Sequence, residues 1–152
     1  MIDIENLVRD NIKKVKPYSS ARDEYSGTAN VFLDANENPY GSVVGPASNR
    51  YPDPYQNKLK KAISKYKQVP VENIFLGNGS DEAIDLIFRI FCEPGKDKVL
   101  IMPPTYGMYG VSASINDIDT IEVLLKPDFQ INVDQVLETA AEEKVKILFI
   151  CS

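Results

Sequence analysis

The chain has 152 residues, of which 43% are hydrophobic and 26% charged, so it can form one globular unit with a core. Acidic residues exceed basic ones by 22 to 17, and no lysine-rich stripe occurs, so nucleic-acid binding is not expected. The absence of histidine excludes Ser-His-Asp and Cys-His catalysis and histidine-ligated zinc from this sequence. No metal site is expected.

The two cysteines and the N-terminus indicate where in the cell the protein is expected. Cys92 and Cys151 are isolated in apolar surroundings, which favours two reduced, buried thiols over a disulfide framework. The N-terminus lacks the basic and apolar segments of a signal peptide, and no apolar run is long enough to span a bilayer. The sequence therefore predicts a soluble, cytoplasmic protein without a membrane partner.

Residues 1–54 are predicted to form a helix and an extended arm. Apolar residues recur at helical spacing before Pro17, and they are Ile4, Leu7, Val8, Ile12 and Val15. Residues 17–54 are rich in Pro, Gly, Asn and Ser, and only Val31-Phe32-Leu33 resembles a strand. This composition favours an arm that reaches a partner subunit.

From Pro54 onward helices and strands alternate, which predicts an α/β fold with a mostly parallel sheet covered by helices. The predicted order is helix 55–67, strand 74–77, helix 80–92, strand 98–102, helix 106–115, strand 119–125, helix 133–143 and strand 145–151. The last strand is apolar almost throughout, as a strand buried on both faces requires. Because ligands of such sheets lie beyond the carboxyl ends of the strands, a chain that stops at Ser152 is expected to be a fragment.

The segment Gly77-Asn78-Gly79-Ser80-Asp81-Glu82 joins a predicted strand to the next helix. Glycine permits a tight turn, and the unpaired N–H groups that begin a helix can bind an anion with help from the helix dipole. Ser80 is equally an ordinary N-cap, and Asp81 and Glu82 suit the dipole without a ligand, so the loop alone favours capping. Its spacing fits neither the G-x-G-x-x-G nor the Walker pattern.

Several segments in a fixed order carry a family resemblance. They are Leu33 to Pro39, Arg50 to Asp53, Gly77 to Asp85, Cys92 to Gly95, and Pro103 to Tyr109. Together they resemble the histidinol-phosphate aminotransferases, within the fold-type I enzymes that use pyridoxal 5′-phosphate. The resemblance covers almost the whole chain. It implies that residues 1–54 are the N-terminal helix and arm, and that residues 55–152 are part of the large cofactor-binding domain, with its second half and the small domain absent.

The resemblance also implies roles for individual residues. The backbone of Gly79, Ser80 and Asp81 is implied to bind the cofactor phosphate, in agreement with the chemistry of a helix start. Tyr106 is implied to stack on the pyridine ring, where the alternative is an aromatic residue of the core. Tyr51 resembles the tyrosine that crosses a homodimer interface and hydrogen-bonds the neighbouring subunit's cofactor phosphate; otherwise it is an ordinary turn residue.

Three further positions are implied to lie near the substrate. Tyr18 matches a position beside it, and Asn36 and Glu37 match a loop that lines the entrance, although a plain polar turn explains that loop equally well. The lysine that bonds to the cofactor and moves the substrate proton is expected beyond Ser152. No catalytic residue is therefore assigned within this sequence.

The implied activity of the intact protein is the transamination of histidinol phosphate with 2-oxoglutarate and glutamate, in histidine biosynthesis. The 152 residues alone are expected to be inactive. The alternatives are an aminotransferase for aromatic amino acids, a phosphothreonine decarboxylase, and a non-catalytic module that binds a phosphate ligand. An exposed last strand would also make the isolated piece oligomeric or poorly soluble.

Overall fold

The structure is a computed structural model that describes residues 3–20, 22, 24–25, 30–45 and 48–151. The chain divides into two compact units, Met1–Val15 with Gly77–Ser152, and Lys16–Leu76. We call the first the sheet unit and the second the arm unit. The predicted division of the chain at residue 54 stays a prediction.

Helices and strands alternate through the sheet unit. Its elements are α1 (Asp10–Lys13), α3 (Gly79–Phe91), β1 (Lys98–Ile101), α4 (Met108–Ile115), β2 (Asp119–Glu122), α5 (Val133–Glu142) and β3 (Ile147–Leu148), with a 3-10 helix at Ile4–Leu7. The arm unit contains α2 (Asn57–Lys67) and a 3-10 helix at Val71–Asn73. In the described part of the chain, no helix is long and apolar enough to cross a membrane.

The three strands form one parallel sheet in the order β2-β1-β3. Lys98 pairs with Asp119 at the start of β1, and Val99 pairs with Ile147 on the other side. Helix α4 connects β1 to its neighbour β2, whereas α5 lies in the connection that returns across β1 to β3. Parallel pairing requires such crossovers, so the predicted α/β class with covering helices is confirmed.

Strand β1 is the centre of the core because it is buried on both faces. Val99 lies in a cluster with residues of α3 and α4, whose buried members are Ile84, Phe88, Cys92, Val99, Ala113 and Ile118. Leu100, the next residue, lies in a second cluster with Met102, Val123 and Val136, on the side of α5. Successive side chains of a strand point to opposite faces, so this alternation follows from the strand geometry. Burying one of the Val, Leu, Ile, Phe or Met side chains of these clusters contributes about 1.5–3 kcal/mol.

Arg9 attaches the N-terminal segment to the end of α3. Its backbone N–H donates to the Ile90 carbonyl at 3.0 Å, and its Nη1 donates to the Arg89 carbonyl at 2.9 Å. Its Nε lies 3.0 Å from the Glu93 carboxylate. The last carbonyls of a helix have no partner within the helix, so a cation with several donors is well suited to this position.

Some predicted elements are shorter than expected or absent. The predicted N-terminal helix, whose first two residues lie outside the described part, is broken at Val8, which is extended and separates the 3-10 helix from α1. Residues 74–77 and 31–33 form no strand, since in the described ranges no neighbouring strand pairs with them. Strand β3 has only two residues, Ile147 and Leu148, which pair with Val99 and Leu100 of β1. A strand is defined by its partner, and sequence periodicity carries no information about that partner.

Candidate functional site

The start of α3 has the features of an anion-binding helix end. Gly79 is the first residue of this thirteen-residue helix, and its φ of +78° is a conformation that glycine adopts without strain. A Cβ at Gly79 would meet no described atom within 4 Å, so it is the backbone conformation that requires glycine. The N-cap is Asn78 and its side chain makes no capping hydrogen bond. The capping alternative for Ser80 is therefore wrong, because Ser80 lies inside the helix.

The two carboxylates of the first turn have partners near this helix start. Glu82 accepts a hydrogen bond from the backbone N–H of Asn78, just before the helix. Asp81 accepts a hydrogen bond from the Tyr106 hydroxyl at 2.9 Å. Ser80 is exposed, and the first backbone N–H groups of a helix have no partner within the helix, which suits the binding of an anion.

Tyr106 follows the carboxyl end of β1 across the turn at residues 103–105, and it lies beside the helix start. The residue is 44% exposed, so the core alternative is wrong for this tyrosine. The hydrogen bond to the Asp81 carboxylate raises the pKa of Tyr106 above its ordinary value, with burial as a smaller cause. The contact places a partly exposed aromatic ring beside the start of α3, an arrangement that suits a planar ligand with an anionic group.

A row of aromatic rings connects Tyr106 to the core. Tyr109 meets Tyr106 edge to face with ring centroids 5.7 Å apart, and it stacks on Phe149 at 4.6 Å. Phe149 in turn lies 5.3 Å from the fully buried Phe88. Tyr109 is therefore a partly buried packing residue at the edge of the core.

The two thiols have different surroundings. Cys92 is buried as predicted, and burial raises its pKa to about 11. Cys151 is exposed, so the prediction of a buried thiol is wrong there. The reason is that β3 ends at Leu148, and residue 151 lies beyond the paired part of the sheet. Both cysteines are unpaired, as predicted.

The other predicted site residues lie in the arm unit. Tyr18 is 88% exposed and Tyr51 is 69% exposed, so both phenols are available to a ligand or a partner. Asn36 has a positive φ of 51° in the polar turn, which Asn38 stabilises by accepting a hydrogen bond from the Tyr40 N–H at 3.0 Å. The structure therefore contains the polar turn that the sequence analysis gave as the alternative. A substrate role for Asn36 stays a prediction.

Glu37 lies in a cluster of charges within the arm unit. Only 2% of its side chain is exposed, although it lies in an otherwise exposed loop. Its carboxylate meets Arg22 and Arg50, and it also accepts a hydrogen bond from the Tyr51 N–H at 2.7 Å. Hydrogen bonds from Arg22, from the Tyr51 N–H and from Arg50 lower the pKa of Glu37 to about 2.

Arg22 and Asp34 complete this cluster and were not among the predicted site residues. The Arg22 guanidinium binds Asp34 through two hydrogen bonds of 2.9 Å each. This pair raises the pKa of Arg22 and lowers that of Asp34. The only sequence feature that pointed to this cluster is weak: two acidic residues, Asp34 and Glu37, lie three positions apart in a segment rich in polar turn residues.

Comparison with known proteins gives consistent matches. Residues 23–152 match the family described as aminotransferase class I and II. The histidinol-phosphate aminotransferase of Cytophaga hutchinsonii is 59% identical over 149 residues, which cover 98% of this chain and 42% of that protein. The enzyme of the same name from Bacteroides fragilis is 57% identical over 153 residues, covering 100% of this chain and 43% of that protein.

A solved structure shows the same relation in three dimensions. The histidinol-phosphate aminotransferase from Clostridium acetobutylicum superposes with a TM-score of 0.53 at 26% identity, covering 61% of this chain and 26% of that one. The chain thus spans less than half the length of the curated relatives it matches.

Proposed function

We propose a function from one premise: the chain belongs to the class I and II aminotransferase family, which in general depends on pyridoxal phosphate. The complete protein is proposed to transfer an amino group between histidinol phosphate and 2-oxoglutarate, in histidine biosynthesis. The sequence likeness to histidinol-phosphate aminotransferases over nearly the whole chain supports this choice of substrate. The observation that carries the proposal is the contact between Tyr106 and Asp81, which joins an aromatic face to an anion-binding helix end.

The residues present fit pyridoxal phosphate, which has an anionic group and a flat ring. The first turn of α3 offers backbone N–H groups at the positive end of the helix dipole. Its two carboxylates already accept hydrogen bonds, from Tyr106 and from the Asn78 N–H. The chemistry that this cofactor supplies when bound is an electron sink for the bond broken at the carbon that bears the amino group of the substrate.

Each site residue has a proposed task. Gly79, Ser80 and Asp81 bind the cofactor phosphate through their backbone N–H groups, and Tyr106 stacks on the ring. The hydrogen bond from its hydroxyl to Asp81 keeps the Tyr106 ring from rotating away from the helix start. Fixing the ring in this way lowers the conformational entropy that binding would otherwise cost.

The arm unit is proposed to contribute to substrate binding and assembly. Tyr51 is proposed to cross the interface of a homodimer and donate a hydrogen bond to the neighbouring subunit's cofactor phosphate, which its exposed phenol supports. Tyr18 and Asn36 are proposed to lie near the substrate. A cytoplasmic location is proposed as well, and the two unpaired cysteines are compatible with it.

A comparison of substrates in the complete protein tests the function. We expect kcat/KM for histidinol phosphate, with 2-oxoglutarate as acceptor, to exceed kcat/KM for phenylalanine. The reverse ranking would identify an aminotransferase for aromatic amino acids. Absence of transamination with both substrates, in protein that binds pyridoxal phosphate, would contradict the enzymatic function and favour a binding module.

A substitution pair tests the site. Ser80→Pro places a ring where a backbone N–H is proposed to bind phosphate, and it should weaken pyridoxal phosphate binding while the first turn still tolerates proline. Glu72→Gln, at an exposed position of the 3-10 helix Val71–Asn73, is the matched control and should leave binding unchanged. Equal affinities of the two variants would contradict the phosphate role of the helix start.

A further inference from the structure

We propose that Glu37 is a positioning residue that fixes the backbone of Tyr51, and that it does not contact the substrate. The sequence resemblance had implied a place in the entrance loop for Glu37. The inference rests on the proposed function in one respect, which is the proposed hydrogen bond from Tyr51 to the neighbouring subunit's cofactor phosphate. The contact itself is a feature of the arm unit.

The hydrogen bonds of the Glu37 carboxylate leave no acceptor site for a substrate. Oε1 accepts from Arg22 Nη1 at 3.1 Å and from the Tyr51 N–H at 2.7 Å. Oε2 accepts from Arg22 Nη2 at 3.1 Å and from Arg50 Nη1 at 2.9 Å. An ionised carboxylate offers about four lone-pair sites, and these four hydrogen bonds use them all. The side chain is also only 2% exposed, so a substrate could not reach it.

The same hydrogen bonds connect three separate stretches of the arm unit. Glu37 lies directly after Asn36, while Tyr51 and Arg50 come from a segment fourteen and thirteen residues further on. Arg22 adds a third stretch, and Asp34 anchors its guanidinium. The arm unit buries no described residue as a whole, so charge-assisted hydrogen bonds, which are stronger than neutral ones, are its best-defined tertiary contacts.

Fixing the Tyr51 N–H has a direct effect on the phenol. With the backbone of residue 51 held on one side by Glu37, the exposed side chain has only its own two torsions left to vary. A hydroxyl that must meet a phosphate on another subunit benefits from this restriction, because less freedom is lost on binding.

Four variants of the complete protein test the proposal: Glu37→Gln, Tyr51→Phe, the double variant, and Glu72→Gln as the exposed control. Glutamine keeps the size of the side chain but loses the charge and turns a donor toward an arginine. We expect Glu37→Gln to weaken pyridoxal phosphate binding about tenfold, the effect of losing one charge-assisted hydrogen bond. The affinity is measured by titration of visible absorbance. The KM for histidinol phosphate should stay near the unsubstituted value.

The double variant separates positioning from direct contact. If Glu37 acts through Tyr51, adding Glu37→Gln to Tyr51→Phe should cause little further loss of cofactor affinity. Additive losses, or a raised KM for histidinol phosphate in both backgrounds, would overturn the proposal. Arg50→Lys, which keeps the charge but loses the fork geometry, supplies a milder variant if Glu37→Gln fails to fold.

Hydrogen exchange at the Tyr51 amide distinguishes failure of this inference from failure of the proposed function. The amide should exchange faster in Glu37→Gln than in Glu72→Gln, both with and without bound pyridoxal phosphate. Unchanged exchange would overturn the positioning role. If exchange accelerates while Tyr51→Phe leaves cofactor affinity unchanged, the positioning contact stands and the proposed phosphate role of Tyr51 is wrong.

Discussion

The sheet unit and the arm unit are built from different interactions. Every described residue that is buried as a whole lies in the sheet unit, between Ile84 and Val136, and nearly all of them are apolar. The arm unit buries none, and its most exposed large apolar residues are Tyr18, Leu33, Tyr40, Val43, Val44 and Tyr66. Its tertiary contacts include the ion pairs around Glu37.

This difference predicts how each unit responds to conditions. Hydrophobic burial is insensitive to moderate salt and pH, whereas ion pairs weaken as salt rises and as carboxylates are protonated. The sheet unit should therefore be destabilised most by substitutions that leave cavities in its core. The arm unit should be destabilised most by loss of charge. Four substitutions or conditions test this division.

The largest effect is expected at Phe88. This ring is fully buried between α3 and β1 and packs on Phe149, so Phe88→Ala leaves a cavity in the core. We expect a loss of about 3–5 kcal/mol in the free energy of unfolding, measured in urea. The control is Leu137→Ala on the exposed side of α5, where the change should stay within about 0.5 kcal/mol. Similar losses in both variants would contradict the assignment of the core.

Acid should act on the arm unit first. The pKa of Glu37 is about 2 in the folded chain against an ordinary value of 4.5, so its ion pairs stabilise the arm fully above pH 4.5. That stability is lost progressively as the pH falls toward 2. Near-ultraviolet circular dichroism, which six tyrosines of the arm unit contribute to, should change over this range. In Glu37→Gln the change should be smaller, and an identical acid profile would show that another group controls it.

A smaller effect is expected at a turn of the sheet unit. Gly95 has a φ of +66°, and a Cβ there would lie 3.2 Å from the Asp117 carboxylate. Gly95→Ala should cost about 1 kcal/mol in the free energy of unfolding. Gly107→Ala is the matched control, since Gly107 has a helical φ of −62° and open space around it. Thermal unfolding of both variants should show a lower midpoint for Gly95→Ala alone.

The smallest effect is a shift in one titration. The Asp81 carboxylate holds the pKa of Tyr106 above its ordinary value of 10, and Asp81→Asn should bring it back toward 10. Ultraviolet absorbance of the phenolate, with Tyr106→Phe subtracted, follows this group. Asp134→Asn, in the first turn of α5, serves as the control and should not move the titration. No downward shift in Asp81→Asn would contradict the hydrogen bond.

Local patterns were sufficient to predict most of the sheet unit. The continuous apolar run of β1 and the helical period of α3 depend on residues that are neighbours in sequence, and both elements lie within one or two residues of the predicted bounds. The loop at Gly79 was predicted from backbone chemistry in the same way. Its contact with Tyr106 was not, since twenty-five residues separate Asp81 from Tyr106.

The arm unit was harder to predict because its contacts come from irregular segments. Arg22, Asp34 and Arg50 meet Glu37 across turns that have no period, so neither helix nor strand spacing brings them together in a sequence. The strands predicted at 31–33 and 74–77 failed for a related reason. Their composition favours extended backbone, but a strand also needs a neighbour, and the described ranges provide none.

The contacts of Arg9 hold the N-terminal segment within the sheet unit. Residues 16–76 leave the sheet unit after Val15 and rejoin it at Gly77, so they form a loop whose two ends are both tied down. The Arg9 contacts with Ile90 and Glu93 close that loop. Deleting the first fifteen residues would convert the loop into a free tail, with an entropy gain that grows only slowly with loop length. The N-terminal segment therefore restrains the start of the loop 16–76, although none of its described residues is proposed to contact a ligand.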